Sequence, residues 1–277
     1  MGASRLAGGF AAARARQRPA FVAYITVGDP SLDATLEVVA ALERAGVDVV
    51  ELGVPFSDPV IDGPVIQAAS GRALAAGATL AKTFDLVRAI RRRSEIPLVL
   101  YSYLNPILRY GIAEASRAAA DAGLDGMLTV DLPVGAAPEV MRAYRDVGLD
   151  PICLVTPTTS PARRALIAEQ AGGFLYLVTL RGVTGVQDAS AEAAAPMVEA
   201  LRRLTDLPIA VGVGIKRPRS GRLHRPGCRR GRGRQRPGRG DRRARRRFRS
   251  GGAGRAGGRR AGRRVAAPRP DHLDRSR

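Results

Sequence analysis

Seven short apolar segments alternate with alanine-rich segments of helical spacing along residues 1–215, and this alternation constrains the fold more than any other feature. The apolar segments are Phe21–Val27, Val47–Val54, Ile96–Tyr101, Gly126–Val130, Ile152–Thr156, Phe174–Leu180 and Pro208–Val213. Apolar strands that alternate with helices are typical of a parallel sheet buried on both faces. Steps of roughly 25–30 residues, without a dinucleotide-binding glycine motif after the first strand, favour a TIM (βα)8 barrel over an open doubly wound sheet.

The sequence changes character after residue 215. Residues 216–277 contain 25 Lys and Arg and three acidic residues, whereas residues 1–215 contain 20 Lys and Arg and 22 acidic residues. The large apolar residues of the second segment are few: Leu223, Phe248, Val265 and Leu273. Because such a segment cannot build a core, we expect a barrel at residues 1–215 that lacks a recognisable strand 8 and its helix, followed by a disordered Arg/Gly/Pro-rich tail at residues 216–277. A shifted reading frame is our preferred explanation of the tail, and a genuine basic tail is the alternative.

Residue types missing from the barrel segment exclude several chemistries. Both histidines, His224 and His272, lie in the tail. A Ser-His-Asp triad, a histidine base and a histidine-rich zinc site are therefore excluded from residues 1–215. The two cysteines, Cys153 and Cys228, cannot form a disulfide framework or a thiolate metal cluster. So few cysteines fit a reducing compartment, and we expect a cytoplasmic protein.

Neither a membrane span nor a targeting segment is indicated. The sequence contains no run of 18 apolar residues, which a spanning helix would need. Near the start, Leu6, Phe10 and Ala13 recur at helical spacing. This spacing favours a short amphipathic helix over a transit peptide.

Carboxylates are the leading candidates for acid–base chemistry. The active site of such a barrel lies where the strands end, in the loops that follow them. Glu51 lies inside the second apolar segment, and Asp58 and Asp62 follow it. An apolar wall disfavours the charged form of a carboxyl group and raises its pKa toward useful acid–base values. A structural ion pair remains the alternative for Glu51. Asp58 precedes Pro59 and Asp62 precedes Gly63, and each of these pairs, considered alone, is more typical of a turn than of a catalytic site.

Six segments at the predicted strand ends together carry a family resemblance that extends over most of residues 5–215. They are Phe21–Pro30, the run Glu51–Gln67 (ELGVPFSDPVIDGPVIQ), Tyr103–Ile107, Asp131–Pro133, Gly182–Gly185 and Val211–Ile215. In this order and at these places, the segments strongly resemble the tryptophan synthase alpha chain family.

The resemblance implies a lyase reaction, the retro-aldol cleavage of indole-3-glycerol phosphate to indole and glyceraldehyde 3-phosphate in tryptophan biosynthesis. It implies that Glu51 gives a proton to ring carbon 3 and then acts as the base. Asp62 is expected to hold the indole N–H. Tyr24 and Leu100 are expected to form apolar walls for the indole, and Tyr176 matches a substrate-contacting tyrosine.

The resemblance also implies how the phosphate is held. Gly185 and Gly214 match glycines of the family's phosphate loops, where the backbone approaches the anion closely. The loop Leu180–Ala189 is expected to be a mobile lid in which Thr184 contacts Asp62 on closure. The family's Gly-Ser pair after strand 8 has no counterpart, since the nearest pair, Ser250-Gly251, lies in the tail.

A partner chain is implied as well. Tyr103, Asn105, Pro106 and the loop Pro55–Asp58 are expected on the face that docks the tryptophan synthase beta chain in an alpha2-beta2 tetramer. No cofactor or metal is expected in this chain, since pyridoxal phosphate belongs to the beta chain. Three alternatives remain: an activator of the beta chain without chemistry, a related phosphate-binding barrel with another substrate, and a tail that binds nucleic acid without sequence specificity.

Overall fold

The computed structural model describes residues 4–178 and 191–212, and these form a parallel sheet of seven strands. The strands are β1 (Val22–Thr26), β2 (Val49–Gly53), β3 (Leu98–Ser102), β4 (Gly126–Thr129), β5 (Asp150–Val155), β6 (Leu175–Val178) and β7 (Ile209–Gly212). Each strand pairs with the next one in the chain, so the sheet curls into a nearly closed TIM-type barrel. The seven predicted strands are confirmed. The predicted tail, and the place where strand 8 would follow, lie outside the described residues.

Helices cover the outside of this sheet and the amino-terminal end of the barrel. In the described part of the chain they are α1 (Arg5–Ala15), α2 (Leu32–Arg44), α3 (Pro64–Ala75), α4 (Leu80–Arg91), α5 (Leu104–Tyr110), α6 (Ile112–Ala122), α7 (Pro138–Asp146), α8 (Pro161–Gln170) and α9 (Ala191–Arg202). Ser31, Thr79 and Ser160 cap α2, α4 and α8 by accepting a hydrogen bond from a first-turn backbone N–H, which satisfies a donor that the helix cannot pair. None of the described helices is long and apolar enough to cross a membrane.

The two faces of the sheet bury different sets of residues. Val49, Val99, Leu128, Ile152 and Phe174 pack together inside the barrel. A second cluster lies between the sheet and the helices, and among its strand residues are Val50, Leu52, Leu98, Leu100, Met127 and Leu175. Successive side chains of a strand point to opposite faces. The register therefore decides which side chains reach the barrel interior.

The helix α1 closes the amino-terminal end of the barrel. Leu6 is fully buried in the interior cluster, and the ring of Phe10 lies 5.4 Å from that of Phe174. Arg5 donates to Asp125 at 3.0 Å, and the same carboxylate accepts from Arg91 at 2.7 Å. The predicted helix is thus confirmed, with Leu6 and Ala13 buried. Its position leaves the opposite end, where the strands finish, as the place for a site.

Candidate active site

Glu51 is a buried carboxyl group in the wall of the barrel. It lies in β2, paired with Tyr24 of β1 and Val99 of β3, and only 2% of it is exposed. Within the described residues its Oε1 has no hydrogen-bond partner, and no ion pair there involves it. The structure therefore gives no support to the structural ion pair considered for this residue. Burial raises the pKa of Glu51 to about 7, because desolvation disfavours the charged form.

Asp62 is the second carboxyl group of the site, and two tyrosines hold it. It lies in the loop between β2 and α3, next to Gly63, which precedes the first turn of α3. The Tyr103 hydroxyl donates to its Oδ2 at 3.1 Å, and the Tyr101 hydroxyl donates to its Oδ1 at 3.4 Å. Burial raises the pKa of Asp62, and the two tyrosine hydrogen bonds oppose this effect. The two carboxyl groups thus stand in different environments.

Three tyrosines of the inner face lie near these carboxyl groups: Tyr24 and Tyr101 within reach of both charges, and Tyr176 within reach of Glu51. The rings of Tyr24 and Tyr101 meet edge to face with their centroids 5.0 Å apart. Burial raises the pKa of Tyr24 to about 12, although a hydrogen bond with Thr26 opposes this effect. Burial also raises the pKa of Tyr101, and the charges of Asp62 and Glu51 act in the same direction on both tyrosines. On β6, burial and the Glu51 charge raise the pKa of Tyr176 as well. The structure therefore brings the predicted residues Tyr24, Glu51, Asp62 and Tyr176 together.

Leu100 is not part of this group, and the expectation that it forms a wall for the indole is wrong. It pairs with Leu52 and Met127 and is fully buried between the sheet and the helices. Tyr101, the next residue, faces the interior instead and contacts Asp62. A shift of one position along a strand moves a side chain to the other face.

The predicted lid and the predicted phosphate-binding glycines lie in segments outside the described residues, as does the Ser-Gly pair of the tail. The residues concerned are Thr184, Gly185, Gly214 and Ser250–Gly251. Gly212, the last described residue of β7, leaves space for Tyr176: a β-carbon at Gly212 would lie 2.5 Å from Cε1 of that ring.

The predicted docking face is only partly exposed. Asn105, Ser57 and Asp58 are exposed, but Tyr103 is 3% exposed and accepts a hydrogen bond from the Ile61 N–H. Tyr103 therefore supports Asp62 and does not present its side chain to a partner. The sequence alone missed both this role and an apolar surface beside Asp62, formed by Val60, Ile61 and Val65, which are 83%, 56% and 79% exposed.

Other parts of the described chain offer no competing centre. No group of three or more His, Cys, Asp or Glu side chains in these residues is placed to hold a metal ion. A cavity of about 830 Å³ lies at the opposite end of the barrel, between α1 and residues 205–208, and none of the site residues lines it. The arrangement at the carboxyl ends of β2 and β3 is therefore the candidate active site.

Comparison with known proteins agrees with this geometry. Residues 10–222 match the family described as "Tryptophan synthase alpha chain". A tryptophan synthase alpha chain from Solibacter usitatus is 49% identical over 201 residues, which are 73% of this chain and 75% of that protein. One from Geobacter sp. strain M21 is 47% identical over 215 residues, 78% of this chain and 80% of that protein.

Solved structures show the same relationship. The alpha subunit of tryptophan synthase from Legionella pneumophila superposes with a TM-score of 0.71 at 36% identity, over 78% of this chain and 80% of that one. A chain from the tryptophan synthase a2b2 complex of Pyrococcus furiosus gives a TM-score of 0.68 at 37% identity, over 72% and 80%. The chain described here therefore belongs to the tryptophan synthase alpha chain family.

Proposed function

We propose that Glu51 and Asp62 together cleave indole-3-glycerol phosphate to indole and glyceraldehyde 3-phosphate in this chain. Tryptophan synthase alpha subunits catalyse this step of tryptophan biosynthesis. One observation carries the assignment of residues. In the described residues, the buried Glu51 has no hydrogen-bond partner on Oε1, two tyrosine hydroxyls hold Asp62, and both carboxyl groups lie within electrostatic reach of Tyr24 and Tyr101.

Glu51 has the properties of a group that both gives and takes a proton near neutral pH. With its pKa raised to about 7, a substantial fraction is protonated and a substantial fraction ionised. Protonated Glu51 gives its proton to ring carbon 3 of the indole. The resulting carboxylate then takes the proton of the side-chain hydroxyl next to the ring. The carbon–carbon bond breaks, its electron pair returns to the ring, and the hydroxyl carbon becomes the aldehyde.

Asp62 stabilises the charge that this sequence creates. Protonation of ring carbon 3 places positive charge on the ring nitrogen, and an ionised carboxylate at the N–H stabilises it. Hydrogen bonds from Tyr101 and Tyr103 favour the ionised form of Asp62. Two carboxyl groups with different surroundings can thus divide the protonated and ionised roles.

The rest of the proposal concerns partners and location. The cleavage as written uses no cofactor in this chain, and pyridoxal phosphate belongs to the beta chain that we propose as the partner in an alpha2-beta2 tetramer. The exposed apolar residues Val60, Ile61 and Val65 next to Asp62 suit such a docking surface. A cytoplasmic location is proposed because Cys153 is a free, buried thiol, which suits a reducing compartment.

The test compares the chain with Glu51→Gln and Asp62→Asn in an assay of indole release. We expect each substitution to lower turnover by roughly 10²–10⁴-fold, while circular dichroism stays unchanged. Glu37→Gln, at an exposed position of α2, is the matched control and should leave turnover unchanged. Near-normal turnover in folded Glu51→Gln would remove the assignment. Binding of the beta chain without any indole release by the unaltered chain would favour the activator alternative.

A further inference from the structure

The hydroxyl group of Tyr101 has a contact that packing alone does not explain. Its ring is fixed edge to face against Tyr24, with centroids 5.0 Å apart. It lies opposite Gly53 in the strand register. A phenylalanine would make the same ring contacts. Among the residues that the structure describes, the one hydrogen bond that the hydroxyl group adds is the 3.4 Å bond to Oδ1 of Asp62.

We propose that Tyr101 is a positioning residue, which together with Tyr103 fixes the carboxylate of Asp62 for its contact with the indole N–H. This inference rests on the proposed function and adds to it a residue that the sequence did not indicate.

The arrangement holds Asp62 from both of its oxygens. Tyr103 accepts a hydrogen bond from the Ile61 N–H at 3.1 Å, so its own proton is free to point at Oδ2. Tyr101 binds Oδ1 from the strand wall. A carboxylate held at both ends is restrained from rotating, and this orders the site before substrate binds. Each oxygen can accept about two hydrogen bonds, so one bond to each leaves acceptor capacity for the substrate.

The same bonds set the charge of Asp62. The titratable groups that face it in the described residues are Tyr101, Tyr103 and Tyr24. Glu51 on β2 acts electrostatically on Tyr24 and Tyr101. A hydrogen bond donated to the ionised form lowers the pKa of a carboxyl group. Loss of the Tyr101 hydroxyl removes one such bond, so more of Asp62 is protonated at a given acidic pH. The proposed role needs the ionised form of Asp62. As the pH is lowered, a chain without the Tyr101 hydroxyl should therefore lose activity at a higher pH than the unaltered chain.

The experiment uses the full chain and Tyr101→Phe, which removes the hydroxyl and keeps the ring. The chain is labelled with ¹³C at the aspartate carboxyl carbons, and Asp62 is assigned by the signal that Asp62→Asn removes. We expect the titration midpoint of Asp62 to move to higher pH in Tyr101→Phe. Where indole release is measurable, kcat/KM below neutral pH should fall by roughly threefold to tenfold, and the acidic limb of its pH profile should move in the same direction.

The control is Tyr110→Phe, since Tyr110 packs against Phe84 away from the site and should change neither quantity. The inference would be overturned if the titration midpoint of Asp62 were the same in Tyr101→Phe and in the unaltered chain. Phenylalanine keeps the ring, so an unchanged midpoint would mean that only the ring of Tyr101 matters. The experiment distinguishes failure of this inference from failure of the proposed function. Absence of indole release from the unaltered chain counts against the proposed function, whereas the titration tests Tyr101 without any turnover.

Discussion

Gly53 leaves the space into which the ring of Tyr24 turns. A β-carbon at Gly53 would lie 2.5 Å from Cζ of Tyr24 and closer still to its hydroxyl oxygen. The Tyr24 ring thereby reaches Tyr101, and Tyr101 reaches Asp62. Because Gly53 of β2 has no side chain, Tyr24 of β1 can pack against Tyr101 of β3 at the site.

We expect Gly53→Ala to impair the site and the fold together. The added methyl group must displace Tyr24, and overpacking of this kind lowers the free energy of unfolding by about 1–3 kcal/mol. Denaturant unfolding and indole release check both effects. Gly71→Ala is the matched control, because nothing lies within 4 Å of a β-carbon there, and a helical Gly to Ala change stabilises by about 0.5–1 kcal/mol. Equal behaviour of the two variants would contradict the proposed packing.

The strands could be predicted from the sequence, but which of their side chains face the barrel interior could not. All five residues of β2 are buried, so apolar residues occupy both faces and no alternation marks the inner one. For that reason the sequence pattern does not show that Tyr101, and not Leu100, faces the site. Glu51 was identifiable because a carboxyl group in an apolar run stands out on either face. The hydrogen bonds of Asp62 to Tyr101 and Tyr103 depend on how the loop after β2 folds over β3, which no local pattern specifies.

The buried charge of Glu51 should lower stability above neutral pH. Its pKa rises from 4.5 in the unfolded chain to about 7 in the folded one, so the folded state binds more protons between these values. The contribution of Glu51 to the free energy of unfolding is therefore fully present below pH 4.5, declines as the pH rises, and is lower by about 3 kcal/mol above pH 7.

Unfolding of the chain and of Glu51→Gln at pH 5 and pH 8 checks this prediction. The variant lacks the titrating group, so its stability relative to the unaltered chain should be greater at pH 8 than at pH 5. Glu37→Gln, at an exposed position, should show no such difference. A Glu51→Gln advantage that is the same at both pH values would show that Glu51 does not titrate in this range.

The apolar surface formed by Val60, Ile61 and Val65 should bind the beta chain. We expect Val60→Glu and Val65→Glu each to weaken binding by roughly tenfold or more, because a charge must then be desolvated at the interface. Val65 lies in the first turn of α3, where an acidic side chain does not destabilise the helix. Calorimetric titration with the beta chain measures the effect. Val38→Glu on α2, also an exposed apolar position, is the control, and equal affinities of all three variants would contradict this docking surface.

The last prediction concerns residues 216–277, which lie outside the described residues. The family match ends at residue 222, close to where Val, Ile and Leu become rare and Arg, Gly and Pro dominate. Arginine and alanine are also abundant in residues 1–215, as in products of GC-rich genes, and shifted GC-rich codons mostly encode Arg, Gly, Pro and Ala. We therefore expect residues 216–277 to be a translation in the wrong frame.

Translation of the same DNA in the other two frames after codon 215 tests this directly. One frame should encode an apolar strand, then a Gly-Ser or Gly-Thr pair, then a helix. A chain rebuilt with that segment should unfold at a higher denaturant concentration, because strand 8 would pair with the edges of β1 and β7, which in the described residues pair only with β2 and β6. It should also release indole faster, because the glycine pair supplies backbone N–H groups to the substrate phosphate. If neither frame encodes such a segment, the basic tail is genuine and the shifted frame is wrong.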